Sequence, residues 1–165
     1  RNWGVIATRL TAPRRVITVD MRNHGKRFWT DDHSYAALAG DLAKVINTLG
    51  EPVDLVGHSM GGKAAMTLAL TRPETLRRLV IGDIAPVGYS HSLDFPSFST
   101  QHTGPTLFLS GGNSNYVTPD YRDTIRGLFT AARFAKIPDA GHWLHADKPR
   151  AFQGTVRAYL DAPAA

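Results

Sequence analysis

Pro52-Val53-Asp54-Leu55-Val56-Gly57-His58-Ser59-Met60-Gly61-Gly62-Lys63-Ala64-Ala65-Met66 is the stretch on which the fold turns. Val53 to Val56 is a short apolar run that reads as a buried strand. After Gly62, residues Ala64, Ala65, Leu68 and Ala69 recur at helical spacing. Between strand and helix lies Gly57-His58-Ser59-Met60-Gly61, a G-x-S-x-G pattern. In that setting the pattern predicts a sharp turn that lifts the serine above the sheet edge. Gly57 and Gly61 are expected where backbones pass too closely for a Cβ. Ser59 then stands at a helix N-terminus, where free N–H groups and the helix dipole favour negative charge.

Working outward, the flanks repeat the same rhythm. Arg1 to Leu10 reads as a short amphipathic helix ended by Pro13. Val16-Ile17-Thr18-Val19-Asp20 is β-branched and predicts a buried strand, followed by the polar loop Asp20 to Gly25. Tyr35, Leu38, Leu42, Val45, Ile46 and Leu49 mark one helix face, with Gly50 and Pro52 as its stop. Strands are expected at Leu79 to Gly82, Thr106 to Leu109 and Phe134 to Ile137. Helices are expected around Tyr121 to Leu128 and from Pro149 onward. Strands alternating with helices predict an α/β fold with a mostly parallel sheet covered on both faces. Ligands in such sheets bind beyond the carboxyl ends of the strands. Ser59, Asp83 and His142 all fall in loops at that edge. The segment 86–104 breaks the rhythm, being polar, aromatic and aperiodic, and reads as a reduced lid or a join where residues are absent.

A chain of 165 residues is expected to form one domain with a real core. The formal charge of +5 is spread over scattered pairs such as Arg14-Arg15, Lys26-Arg27 and Arg77-Arg78. That scatter, without a nucleic-acid-binding signature, favours a solvated surface over a nucleic-acid partner. Cysteine is absent, which excludes disulfides, thiolate metal sites and a cysteine nucleophile. No apolar run reaches membrane-spanning length, no signal peptide is visible, and a cytoplasmic location is expected. The chain begins at Arg1 without a methionine, which leaves room for a lost targeting segment.

A serine hydroxyl needs an adjacent base, itself held by a third group. Among seven histidines, His142 follows the last strand in Asp139-Ala140-Gly141-His142-Trp143 and is placed to drop over the sheet edge. His58, next to Ser59, points away in a sharp turn and is expected to support the site from behind. His24 sits in an earlier loop, and His33, His91 and His102 have no supporting context. His145 makes a His-x-x-His pair with His142, but no third ligand accompanies it, so no metal is expected. Asp83, at a strand end, is the expected acid, with Asp120 as the alternative. The turn Gly111 to Asn115 offers amides, and an amide holds the imidazole in the wrong tautomer. The expected chemistry is acyl transfer, the oxyanion being held by backbone N–H groups including that of Met60.

These pieces, taken in order, resemble the α/β-hydrolase superfamily, and within it small serine esterases of the YbfF type. The matching segments are Val19 to Gly25, Gly57 to Lys63, Asp83-Ile84-Ala85-Pro86-Val87, Gly111 to Ser114, and Ala140-Gly141-His142-Trp143 with His145 and Lys148-Pro149. The resemblance implies Ser59 as nucleophile, His142 as base and Asp83 as acid. It implies short-chain acyl esters or acyl thioesters as small-molecule substrates, with no cofactor. Such relatives carry a His-Gly loop ahead of the pair seen here as Asn2-Trp3, which supplies a second oxyanion donor. They also carry a helical cap where this chain has 86–104, and a serine where it has Arg27. First strands and most of the cap are therefore expected to be missing. Tyr89, Phe95, Phe98 and Trp143 are candidate pocket walls. The alternatives are carbon–carbon bond hydrolysis or perhydrolysis on the same triad, or a non-catalytic ligand-binding relative. The sequence does not address the oligomeric state.

Overall fold

The computed structural model describes residues 3–12, 14–25, 29–90 and 93–163. Asn2, Pro13, Lys26, Arg27 and His91 lie outside the described residues, and with them the Asn2 and Arg27 comparisons. The elements run α1 (Gly4–Leu10), α2 (Tyr35–Leu49), β1 (Val53–His58), α3 (Met60–Thr71), β2 (Leu76–Gly82) and β3 (Thr106–Gly111). They continue with α4 (Arg122–Leu128), β4 (Ala132–Ile137), α5 (Leu144–Asp147) and α6 (Pro149–Asp161). The four strands form one sheet in the order β1-β2-β3-β4, and every pairing is parallel.

Alternation along the strands decides which helix covers which face. Val80, Leu107, Leu109 and Ile137 point to one side, where Ile6 and Leu10 of α1 and Phe152, Val156 and Leu160 of α6 pack on them. Leu79, Ile81 and Phe108 point to the other, against Ala65, Met66, Ala69 and Leu70 of α3 and Ile125 of α4. α2 lies outside α3, packing Leu38, Leu42 and Ile46 on Ala64 and Leu68. Its start is capped by Ser34, whose hydroxyl accepts from the Ala37 N–H at 3.2 Å, and its end by Gly50 in the left-handed region (φ 74°). Among the described residues no helix is long and apolar enough to cross a membrane.

One expected strand does not form. Val16 to Asp20 is extended but pairs with nothing in the sheet, and Ile17 is 44% exposed. A β-branched run becomes a strand only when a ladder partner lies alongside. Here β1 ends the sheet, and Val16 and Val19 merely rest on core clusters. The polar loop that follows is nonetheless held. Arg22 grips Asp41 of α2 through two bonds, Nε to Oδ2 at 2.7 Å and Nη2 to Oδ1 at 2.9 Å. The segment 86–104 has no helix or strand among its described residues, only a single bridge from His102 to Phe129.

Candidate active site

The register of the parallel sheet assembles the site. His58 pairs with Gly82 and Gly82 with Leu109, so the next residues on β1 and β2 leave the sheet together. Their first backbone bonds continue the ladder: the Ser59 N–H donates to Gly82 O at 3.1 Å and the Asp83 N–H to Leu109 O at 2.8 Å. Both residues then turn sharply, Ser59 at φ 54° and Asp83 at φ 49°. Positive φ in a non-glycine residue is strained, and here it aims two side chains across the sheet end.

Of the two glycines expected at the close approach in the serine turn, Gly57 lies there and Gly61 does not, its place being taken by Gly62. A Cβ on Gly57 would lie 2.5 Å from Gly61 O, and one on Gly62 would lie 2.7 Å from Cγ2 of Ile84. Gly61 itself faces open space. Gly57 and Gly62 are thus required by packing, because they sit where the strand, the turn and the end of β2 converge. The turn after β3 is pinned in the same way. A Cβ on Gly111 would meet Gly141 O at 2.3 Å, and the Asn113 N–H donates to Ala140 O at 2.8 Å. Those contacts fix the loop that carries His142.

His142 bridges the other two groups. Its Nε2 is 3.0 Å from Ser59 Oγ and its Nδ1 2.9 Å from Asp83 Oδ2. Asp83 is fully buried and also accepts from the Gly111 N–H at 3.0 Å and from the Ser114 hydroxyl. A buried carboxylate needs such donors to offset its lost hydration. Because the carboxylate accepts, the Nδ1 proton points at Asp83 and Nε2 presents its lone pair to the Ser59 hydroxyl. Asp120, the alternative acid, is exposed in the 3-10 turn Pro119–Tyr121, and the histidine bonds to Asp83 instead.

Two neighbours of this trio escape sequence reasoning. Ser114 supports Asp83, and the Tyr116 ring stacks on His142 at 4.0 Å between centroids. Neither carries a local signal, since each partner lies far along the chain. His58 does carry one, its place beside the serine. Its Nε2 is 2.6 Å from the His142 carbonyl oxygen. A carbonyl only accepts, so Nε2 holds the proton. Burial pushes the His58 pKa down to about 4, against the weaker opposing pull of that carbonyl, so the ring is neutral at pH 7. His145 stacks flat on Trp3 at 4.8 Å and packs edge-on to His58 at 4.6 Å. Among the described residues no group of three His, Cys, Asp or Glu gathers in metal-binding geometry.

A cavity of about 300 Å³ opens beside Ser59 and Met60, walled by Tyr35, Lys63, Tyr89 and Tyr116. Of the four expected wall residues, Tyr89 lines it. Phe98 lines a second cavity between α2 and α3, and Phe95 packs between Tyr35 and Phe98. Trp143 is half exposed and covers His58 and His142 from outside. The irregular chain of 86–104 directs its aromatics against the helices, which periodicity cannot reveal.

Residues 1–103 match the sequence profile of the alpha/beta hydrolase family. The chain belongs to this family. It is 35% identical to the sn-1-specific diacylglycerol lipase ABHD11 of Mus musculus, with 89% of this chain and 72% of the relative covered. It is 30% identical to esterase YbfF of Escherichia coli (strain K12), with 97% and 88% covered. The first of these alignments spans 220 positions, more than the 165 residues of this chain, so the relative carries residues within the span that have no counterpart here. Among solved structures, a marine microorganism esterase superposes with a TM-score of 0.90 at 26% identity, covering 96% of this chain and 89% of that one. The fold is that of the α/β-hydrolases.

Proposed function

We propose that this chain is a serine hydrolase that cleaves carboxylic ester or acyl thioester bonds through an acyl-enzyme. The observation that carries the reading is the continuous line from Asp83 through His142 to Ser59, with bonds of 2.9 and 3.0 Å. Relatives named as an esterase and a diacylglycerol lipase support an ester as substrate.

Ser59 Oγ attacks the acyl carbon while its proton passes to His142 Nε2. Asp83 holds the imidazole in the tautomer that accepts this proton and stabilises the imidazolium once formed. Met60 opens α3, so its N–H has no partner within the helix and donates to the developing oxyanion. The bond from the acyl carbon to the leaving oxygen or sulfur then breaks, and the Nε2 proton goes to the leaving group. Water repeats the sequence: its proton goes to Nε2, its oxygen bonds the acyl carbon, and the bond to Oγ breaks as the proton returns to Ser59. His58 holds the His142 carbonyl, and therefore the loop, while remaining neutral. Residues 86–104 serve as a short lid that contributes Tyr89 to the cavity wall.

The test is covalent labelling by a fluorophosphonate together with turnover of p-nitrophenyl acetate. Both are expected in the wild type and abolished in Ser59→Ala. Removal of a triad serine lowers kcat by about six orders of magnitude in a serine protease. Absence of labelling in a folded wild-type protein sinks the reading.

A further inference from the structure

Two side chains in the cavity wall take no part in the proton path from Asp83 to Ser59. They are Tyr35, the first residue of α2, and His33, on the other side of the cap Ser34. Tyr35 is 3% exposed, and its hydroxyl makes no hydrogen bond among the described residues. A tyrosine buried this far normally finds a partner for its hydroxyl. The oxygen is not sealed off either, since the sealed polar atoms without a partner, among the described residues, belong to Arg14, Asp54, His102, His145 and Tyr159. The little exposure that Tyr35 keeps therefore includes its hydroxyl, in the wall of the cavity that holds Ser59. Tyr89, in the same wall, differs: its hydroxyl is engaged with Ala85 and Tyr116. The Tyr35 ring packs on Phe95 at 5.9 Å between centroids and under the Lys63 ammonium at 5.5 Å, so the hydroxyl is in place before a ligand arrives. Burial pushes its pKa up to about 12, so it keeps its proton and can donate.

His33 adds a second donor, and Asn23 decides its tautomer. Asn23 Oδ1 accepts from the Thr30 N–H at 2.8 Å and Nδ2 donates to Thr30 O at 2.9 Å, so one backbone residue fixes which end of the amide is nitrogen. That nitrogen lies 3.3 Å from His33 Nδ1, which therefore accepts. The ring proton is then on Nε2, which makes no hydrogen bond among the described residues. The ring also stacks on His24 at 5.7 Å between centroids. With Nδ1 turned to Asn23, the edge bearing Nε2 is the one left to the cavity.

We propose that Tyr35 and His33 form a polar subsite that selects esters carrying a further oxygen acceptor in the part of the substrate that fills this cavity. The Tyr35 hydroxyl and the His33 Nε2–H donate to that ether, carbonyl or hydroxyl oxygen in place of water. An alkyl chain of equal length displaces the water and leaves the donors unpaired. A few fixed polar groups in a mostly apolar wall are how such cavities orient a ligand. The inference rests on the serine-hydrolase reading above, and it adds the class of substrate.

The experiment compares esters that differ by one oxygen in place of a methylene. On the acyl side, methyl β-methoxypropanoate and γ-methoxybutanoate are assayed against methyl pentanoate and hexanoate. On the alcohol side, β-methoxyethyl and γ-methoxypropyl acetate are assayed against butyl and pentyl acetate. An ether oxygen only accepts, so these pairs read donors alone. For at least one pair, the ratio of kcat/KM for the ether ester to that for its alkyl partner is expected to fall ~3-fold or more in Tyr35→Phe and in His33→Phe. His33→Gln, whose amide still donates, restores part of it. Intrinsic reactivity and a general loss of activity cancel, because each ratio is taken within one variant. Ratios unmoved by both phenylalanine replacements in all four pairs overturn the proposal.

Two further readouts separate this role from a structural one and from the hydrolase reading. The Tyr35 hydroxyl holds nothing in the fold, so Tyr35→Phe is expected to keep the urea midpoint of the wild type. A lowered midpoint counts against the subsite. By calorimetry, the affinity of Ser59→Ala for β-methoxyethyl acetate relative to butyl acetate is expected to drop when Tyr35→Phe is added; an unchanged ratio counts against Tyr35. Fluorophosphonate labelling and ester turnover with unmoved ratios defeat this inference alone. A calorimetric shift without labelling defeats the serine-hydrolase reading and leaves the polar subsite standing.

Discussion

Two groups of loops flank Ser59, and they are built on opposite principles. On one side, the ends of β2 and β3 and the loop of His142 are locked backbone to backbone. Asp83 is completely buried with three donors, and Gly111 touches the opposing carbonyl where any side chain would collide. On the other side, residues 86–104 have no helix or strand among those described and meet the core through apolar side chains, a few side-chain bonds and one bridge at His102. The first side holds Ser59, His142 and Asp83 at hydrogen-bond distance from one another. The second shapes what the cavity admits and has few backbone constraints to resist change. Rigid chemistry beside an adaptable wall is how one scaffold serves many substrates.

Breaking the firm side has the largest expected effect. Asp83→Asn keeps the shape but favours the wrong His142 tautomer, and kcat for an ester should fall by about four orders of magnitude, as in a serine protease. A loss of tenfold or less would mean that the buried carboxylate does not govern the histidine. Next comes Gly57→Ala, whose new Cβ would lie 2.5 Å from a backbone oxygen. It should cost about 3 kcal/mol in urea unfolding. Gly61→Ala, facing open space at a helix start, should change stability by no more than about 1 kcal/mol. If the two variants unfold alike, the close approach is misplaced.

Acid sharpens the comparison through His58, which underlies the firm side. Its folded pKa of about 4 lies below the ordinary 6.5, so between those values the unfolded chain binds the extra proton. Stability is therefore full above pH 6.5 and declines as pH falls toward 4. For a group this buried the loss is on the order of 3 kcal/mol. His102 and His145, also shifted downward by burial, act in the same direction. Urea midpoints measured from pH 7 to pH 4.5 should drop, and less steeply in His58→Gln; a flat profile would count against the buried neutral ring.

The smallest effect is expected where the two sides meet. Tyr89 accepts from the Ala85 N–H at 3.1 Å and donates to Tyr116 O at 2.6 Å, tying the start of 86–104 to the loop after β3. Tyr89→Phe leaves a buried N–H without that acceptor and should cost about 1–2 kcal/mol. KM should move more than kcat, since the tie shapes the cavity and leaves the proton path alone. An equal fall in kcat at constant KM would place Tyr89 on the other side of the comparison.

Several readings from sequence survive contact with the coordinates because their signals are local. The G-x-S-x-G turn sits between an apolar run and a helical spacing, so strand, turn and helix are specified together, and Ser59 takes the strained φ that such a turn needs. Val16 to Asp20 misleads because β-propensity says nothing about whether a partner strand lies alongside. Gly61 misleads for a related reason: glycine permits close approach, but only the packed neighbour shows which glycine is approached.

What the residues determined alone is the alternation of strands and helices and the placing of Ser59, Asp83 and His142 in loops at one sheet edge, from which the acyl chemistry is proposed. Periodicity, turn composition and chain order are written over a few neighbours each, so no folding is needed to see them. Only the tertiary structure decided that Ser114 and Tyr116 brace Asp83 and His142, that His58 grips the carbonyl of His142, and that Lys63 lies buried beside the serine. Those contacts join residues that share no local pattern, and they exist because the parallel register and the packed glycines bring distant backbones to one edge.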